Sequence, residues 1–256
     1  MEEKISKLIE KFKQTTEKEC YKVEIVGENP QILEDKIGGK PYLPVGEDYP
    51  RDKNGEYMPL LLQVNLKNID LEGYPKKGIL EIFLDKEVSW PCDYVVKYFD
   101  EGLEYQKDLP EIDLSMFIVE KSFKIKLIKD ICHMPVSDYR FVNVISPIIS
   151  ELFEVRVKNY LEVDRFFEEY GTDVYECIGN NIVNHFITIG GYADFTQSDP
   201  RERAISNKEE CLFKLDSSAN DSEINIGDSG ILFALISQDE IKNAKFEETI
   251  VDFDCY

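Results

Sequence analysis

Histidine is nearly missing from this chain. There are two, His133 in ICHMP and His185 in NHFIT, 52 residues apart. General base work usually wants a histidine, and metal sites usually want two or more close together. With no recognised spacing between them, each reads as structural. A G-x-S-x-G elbow is also lacking, and Gly227-Asp228-Ser229-Gly230 does not have its five-residue spacing. The six cysteines (Cys20, Cys92, Cys132, Cys177, Cys211, Cys255) include no C-x-x-C. They read as free thiols in a reducing compartment, although their even number leaves a disulfide framework open. No local base supports a cysteine nucleophile. Cys255, beside Asp254, reads as a buried or terminal thiol whose redox reactivity stays open. No apolar run approaches the roughly 18 residues of a membrane span. The start, MEEKISKLIEKFKQ, lacks an apolar core of the signal-peptide kind, so a cytoplasmic protein is expected. No low-complexity linker divides the chain, and one domain over residues 1–256 is expected.

Positive charge is the next scarcity. Lysine and arginine total 30 against 51 acidic residues, a formal charge of −21, and only six residues are arginine. From residue 150 onward there are 23 acidic and 9 basic side chains. Such a surface repels nucleic-acid phosphates and anionic lipid. Neither nucleic acid nor membrane is expected as a partner; a basic protein partner, or simple solubility, fits the charge.

What the chain does have is β-strand material. A first helix is expected over residues 2–19, where Ile5, Leu8, Ile9 and Phe12 recur at helical spacing. Runs rich in Val, Ile, Phe and Tyr follow at 21–26, 59–66, 78–84, 94–99 and 117–128, bounded by Gly, Pro, Asn and Asp. Helical spacing returns at 147–157 and 161–171, the latter ending on Gly171 as a C′ residue. VNHFITIGG then reads as strand.

The chain also repeats. Ile37-Gly38-Gly39 has a counterpart in Ile189-Gly190-Gly191, and Gly78-Ile79-Leu80 in Gly230-Ile231-Leu232, both 152 residues away. Between them, Leu61-Leu62-Gln63-Val64-Asn65 matches Leu212-Phe213-Lys214-Leu215-Asp216 after a one-residue slip. Two tripeptides recurring at one separation argue for internal duplication. The fold expected is therefore mainly β with flanking helices (α+β), an internally duplicated β-roll-like architecture with an N-terminal amphipathic helix. Its halves would span about 20–100 and 172–256, joined by 101–171, and would cover each other's apolar faces. Because Gly-Gly recurs in both halves, it reads first as a backbone device with φ > 0, and second as a ligand cradle. Two local motifs read as helix starts. In Asp199-Pro200-Arg201-Glu202, Asp199 would be the N-cap and Glu202 would complete a capping box; Ser237-Gln238-Asp239-Glu240 follows the same logic.

GGKPYLPVGEDYP, PLLLQVNL, GILEIFL, GGYADFTQSDPR, CLFKLDS, GDSGILF and the terminal VDFDCY, in this order, resemble the YwqG-like family of bacterial proteins, a domain of unknown function. The resemblance spans nearly the whole chain. It implies a largely β, roll-like fold with flanking helices in a cytosolic bacterial protein. It implies no reaction and no catalytic residue. Where the family often has Gln-Ile-Asp in both central strands, this chain has Gln63-Val64-Asn65 and Lys214-Leu215-Asp216. Where it often has tryptophan, this chain has Ile226 and Phe253.

The remaining candidates are polar clusters. Asp252 and Asp254 would share one strand face and could hold Mg²⁺ or Ca²⁺, but two ligands do not make a site. Gly227-Asp228-Ser229-Gly230 lacks the EF-hand pattern and reads as a turn. No metal or cofactor is expected. Thr196, Gln197, Asp199 and Arg201 could converge on a cleft between the halves. Arg201 could pair with a ligand carboxylate or a neighbouring glutamate, and the neighbour is favoured. Two functional readings follow. One is a non-catalytic binding or interaction protein for a basic protein partner, an antitoxin-like or regulatory factor. The other is a small-ligand-binding enzyme or hydrolase at the seam, lined by Gln63, Gln197, Asp199 and Asp228, with Arg201 beside them. The oligomeric state is not legible.

Overall fold

A computed structural model describes residues 2–87, 91–203, 207–218 and 224–255; Tyr256 of the terminal motif lies outside them. The helix α1 (Glu2–Thr16) turns Leu8 and Phe12 fully inward, as its spacing requires. Then come β1 (Lys18–Glu28), β2 (Lys36–Ile37), β3 (Leu60–Asn65), β4 (Ile79–Leu84) and β5 (Tyr94–Phe99). After β6 (Phe123–Cys132), the chain forms α2 (Phe141–Phe153), α3 (Tyr160–Glu168) and α4 (Val174–Cys177). It closes with β7 (Ile187–Gly190), β8 (Glu210–Asp216), β9 (Ile231–Ile236), α5 (Gln238–Lys242) and β10 (Ile250–Asp254).

Among the described residues the strands pair antiparallel throughout, in one 10-stranded sheet of order β10-β9-β8-β7-β1-β6-β2-β3-β4-β5. The sheet curls until its two edges nearly meet. Tyr98 of β5 packs on Phe246, just before β10, with ring centroids 5.1 Å apart, and the Tyr94 hydroxyl reaches the Val251 backbone. One apolar core fills the interior, drawing Ile37, Leu62 and Leu80 from one side and Ile189, Phe213 and Leu232 from the other. A second core lies between the helices, where Phe12 meets Phe141 edge-on at 5.5 Å. Among the described residues no helix is long and apolar enough to cross a membrane.

The strand order is the same read from either end. β1 and β6 pair at its centre, Glu24 opposite Lys126. Each then pairs outward with the other half: β1 with β7, β6 with β2. The registers match position by position. Lys36 faces Gln63 and Ile37 faces Leu62; Thr188 faces Lys214 and Ile189 faces Phe213. Leu61 and Leu212 are the unpaired residues of two equivalent bulges. Gly38 and Gly39 have φ of 71° and 83°, Gly190 and Gly191 of 72° and 79°. Each Gly-Gly crosses closely over the first strand, or its approach, of the opposite half. A Cβ on Gly39 would lie 2.7 Å from Ser122 Cβ, and one on Gly191 3.0 Å from Cys20 Cβ. Glycine is required there for both backbone angle and approach. By this register β6 is the counterpart of β1, and the helices α2–α4 are inserted between β6 and β7.

Several expected boundaries move. The helix read at 147–157 runs from Phe141 to Phe153, and Pro147 lies inside it. The buried stripe Phe141, Ile145, Ile148, Ile149 carries the helix through the proline, and it ends at Glu154 with φ 62°. The strand read at 117–128 begins at Phe123, because the approach to it passes under Gly38 and Gly39 and cannot join the ladder. Asp199 caps a short 3-10 turn, Pro200–Glu202, and not an α-helix; its carboxylate accepts from Arg201 N, so no box with Glu202 forms. Ser237 and Glu240 do form a capping box at α5.

Candidate functional site

The inserted helices and the polar loop after Gly190-Gly191 face one another across a cleft of about 780 Å³. One wall is residues 136–142 with Tyr160 of α3 and Tyr175 of α4; the other is residues 194–199 with Glu202. Asn184, His185 and Phe186 line its base, and Asp216, Ser218 and Ile231 close one end.

Its two walls are tied together by a repeated motif. Ser137-Asp138-Tyr139-Arg140 and Ser198-Asp199-Pro200-Arg201 share the pattern S-D-x-R and the same local geometry. In each, the arginine amide donates to the aspartate Oδ1 at 2.9 Å, and the guanidinium folds back onto the same carboxylate. Arg140 Nε and Nη2 reach Asp138 at 2.8 and 2.7 Å; Arg201 Nε and Nη2 reach Asp199 at 2.9 and 2.6 Å. The two motifs then interlock. Arg201 Nη2 also donates to Asp138 Oδ2 at 2.9 Å, and the Tyr139 amide donates to Asp199 Oδ2 at 3.0 Å. Arg201 is 1% exposed, donates through Nη1 to Glu209 O, and lies against the rings of Tyr139 and Phe195. Burial pushes the Asp138 carboxyl up, but the hydrogen bonds and charges of Arg140 and Arg201 outweigh it and hold it below the usual range. Burial opposes the charge of Arg201, and its aspartate partners more than restore it.

Above this floor the groups are more open. Asp194 accepts from Ser137 Oγ at 2.5 Å and from Asn184 Nδ2 at 2.6 Å, while Asn184 Oδ1 accepts from the buried Lys214. His185 Nε2 is 3.2 Å from Asp130 Oδ2. Tyr160, Tyr175 and Phe186 are 44%, 62% and 51% exposed. The carboxylates lining the cleft are Asp138, Asp194, Asp199, Glu202 and Asp216; among the described residues no lysine or arginine lines it, and Arg140 turns back onto Asp138.

The structure brings some of the sequence candidates together here and leaves others apart. Gln197 and Asp199 line the cleft, and Arg201 lies directly behind it. Thr196 and Gln197 are held by Asp254, whose carboxylate accepts both amides at 3.0–3.2 Å; Gln197 Nε2 donates to Cys255 O. Burial raises the Asp254 carboxyl, and Asp252 on the same strand face is raised by burial too. Arg201 pairs with two aspartates, Asp199 and Asp138, and not with a glutamate. Gln63 is in the other half, fully buried, accepting from Tyr42 N at 2.8 Å and donating to Ile32 O and Glu34 O. Asp228 stands in an exposed turn flanked by Gly227 and Ser229 at positive φ. His133 is structural: its Nδ1 accepts from Val183 N at 3.0 Å, and burial lowers its pKa. All six cysteines are free thiols. Among the described residues, no group of three or more His, Cys, Asp or Glu is placed to hold a metal ion.

Sequence reasoning passed over Asp138, Arg140, Asp194 and the aromatic rim. The doubled S-D-x-R was the available signal for the first two.

Fold and cleft together define a mainly antiparallel β protein, nearly closed on itself, whose second half carries an inserted helical wall. The chain belongs to the family described as a domain of unknown function (DUF1963), whose profile matches residues 35–255. Comparison with curated proteins found no match.

Proposed function

We propose that this protein is a non-catalytic binding protein whose cleft takes a basic segment of a partner protein. The observation that carries the reading is the composition of the cleft: beside the arginine-paired Asp138 and Asp199 it has Asp194, Glu202 and Asp216, which among the described residues make no ion pair with lysine or arginine, and three exposed aromatic rings at the rim and base. A lysine or arginine entering it would meet the carboxylates of Asp194, Glu202 and Asp216 and the aromatic rings of Tyr160, Tyr175 and Phe186, a pairing worth about 0.5–2 kcal/mol per ring contact. The formal charge of −21 would steer such a partner toward the surface. An antitoxin-like or regulatory role is compatible with this chemistry. The order of the motifs supports placing the chain among YwqG-like bacterial proteins, and six free thiols support a cytoplasmic setting. The hydrolase reading has less support, since Gln63 and Asp228 do not share the cleft with Gln197 and Asp199.

The test is titration of fluorescent lysine- and arginine-rich peptides, with acidic peptides of equal length as controls. Binding is expected for the basic set only, weakening steeply with added salt, and falling at least about fivefold in Tyr175→Ala and in Glu202→Gln. Equal affinity for acidic peptides, or binding indifferent to both substitutions, would sink the reading.

A further inference from the structure

Cys20 and Cys132 stand apart from the other four cysteines. The β1–β6 register sets Lys18 opposite Cys132 and Cys20 opposite Asp130, so the two thiols are diagonal neighbours on one face of adjacent antiparallel strands. Both press on the same spot of backbone. A Cβ on Gly191 would lie 2.5 Å from Cys132 Sγ and 3.0 Å from Cys20 Cβ. The pair sits beneath a glycine because two side chains already occupy the space a third would need. The Cys132 thiol donates a hydrogen bond to Lys18 O at 3.6 Å. Working against the burial of this sulfur are the Cys20 thiol, the Tyr192 amide, and the ammonium groups of Lys214 and Lys18, the last directly across the ladder. These favour the thiolate at Cys132. Cys20 faces the opposite bias: the Cys132 sulfur beside it, its burial, and the Asp130 carboxylate directly across the ladder all favour the protonated thiol. The pair thus has one sulfur disposed to attack and one disposed to keep its proton until a partner is oxidised. Neither residue serves the cleft.

We propose that Cys20 and Cys132 form a reversible dithiol–disulfide site oxidised by small hydroperoxides. In the first step the Cys132 sulfur attacks the O–O bond. An S–O bond forms, the O–O bond breaks, and the leaving oxygen departs as water after taking the thiol proton. Cys132 becomes a sulfenic acid, oxidised by two electrons, and the peroxide is reduced by two. In the second step the Cys20 sulfur attacks the sulfenic sulfur. The S–S bond forms, the S–O bond breaks, and the Cys20 proton leaves with the hydroxyl as a second water. The sum is two thiols and one hydroperoxide giving one disulfide and two waters, for hydrogen peroxide. Two equivalents of a small uncharged thiol reverse it by exchange through a mixed disulfide, restoring both cysteine thiols and leaving as their own disulfide. Both sulfurs are shielded from solvent, so the oxidant must be small and uncharged.

The experiment is peroxide treatment of the folded protein, followed by denaturing alkylation and peptide mass spectrometry. A Cys20–Cys132 link is expected, with loss of two of the six free thiols and recovery on reduction. Two variants separate chemistry from mere proximity. In C20S, Cys132 should accumulate as a sulfenic acid trapped by dimedone. In C132S, Cys20 should oxidise at least about tenfold more slowly than the pair does, because it lacks the thiolate bias. Serine is close to isosteric, and circular dichroism confirms that each variant folds. Survival of both thiols, oxidation confined to the half-buried Cys255, a link from Cys132 to Cys211, or rapid Cys20 oxidation in C132S would each overturn the proposal.

Discussion

Replacing Arg201 by methionine isolates the contribution of the interlocked S-D-x-R motifs. Methionine fills similar volume without charge. Arg201 is fully buried and donates to both Asp199 oxygens, to Asp138 Oδ2 and to Glu209 O. Asp138 would keep Arg140, but Asp199 would keep only two backbone amides, those of residue 201 and Tyr139. A buried carboxylate stripped of its cation costs about 3–5 kcal/mol. The double variant Asp199→Asn with Arg201→Met removes that orphan charge and keeps a side-chain acceptor for the turn. It should recover about 2 kcal/mol of the loss, a coupling in the range seen for contacting pairs. Urea unfolding followed by circular dichroism measures both. The pH dependence adds a second reading. Asp138 has its folded pKa below the unfolded value, so its stabilising contribution is present above pH 3.8 or so and is lost as pH falls through the lower folded value. In R201M that acid limb should become shallower, because one of the two guanidinium groups holding Asp138 down is gone. A single-variant cost under about 1 kcal/mol, or a double variant as unstable as the summed singles, would show that the network couples nothing and that the cleft floor is held by packing alone.

Two further substitutions probe the first half and the repeat. Burial raises the Glu81 carboxyl to about 8, against backbone donation from Tyr42 and the nearby charges of Lys36 and Lys97. A folded pKa above the unfolded one stabilises at low pH and is lost as pH rises through about 8, so Glu81→Gln should gain on the wild type by about 3 kcal/mol from about pH 5 to pH 8 in urea titrations; a difference flat with pH refutes the assignment. Gly38→Ala and Gly190→Ala share a backbone angle but not a neighbour. A Cβ at Gly38 would lie 2.5 Å from the Lys121 carbonyl oxygen, which is backbone, and one at Gly190 would lie 2.5 Å from Leu71 Cδ1, which can swing away. Both should cost about 1–3 kcal/mol in thermal or urea unfolding, with Gly38 the more expensive, and equal costs would contradict the account.

What was legible in the sequence was whatever depends on near neighbours. Gly38-Gly39 and Gly190-Gly191 announced a backbone device because the requirement for positive φ is local and the spacing repeats. The β runs and the Ser237–Glu240 box were legible for the same reason. The Asp199 turn was legible only in part: the residue types matched a capping box, yet Arg201 folds back and draws the carboxylate to the second amide. Gln63 looked like a ligand group because it is a polar residue in an apolar strand. Its partners are loop carbonyls at Ile32 and Glu34, which no local pattern specifies. The cleft itself was hidden. Its floor joins Asp138 to Arg201 across the whole helical insertion, and its rim uses tyrosines that read as ordinary helix residues. Contacts of that kind depend on the strand order, and the strand order here swaps the first strand of each half onto the other.

The one-sided insertion explains why the helix-walled cleft belongs to the second half, although the first half has surface openings of its own between its loops. The duplicated frame places the same four positions in a row across each outer sheet. In the first half they are Lys36, Gln63, Glu81 and Lys97, in direct register. In the second they are Thr188, Lys214, Phe233 and Asp252. In the first half, β1 reaches β2 through a short connection, Lys36 is capped by the carbonyls of Gln31, Ile32 and Lys40, and Glu81 and Gln63 both accept from the Tyr42 amide. Lys36, Gln63 and Glu81 are sealed under that loop, while Lys97 at the end of the row is partly exposed and lines a separate surface cleft. In the second half the connection from β6 to β7 has grown into α2–α4, and the loop after Gly191 is drawn outward to meet it through Asp199, Arg201 and Asp194. Lys214 then bonds an asparagine at the base of the cleft instead of a ring of carbonyls. The pseudo-twofold frame is common to both halves, and the one-sided insertion gives the second half its helix-walled cleft. Binding in this protein should therefore follow the second half, and changes to the polar row of the first half should alter stability without altering affinity.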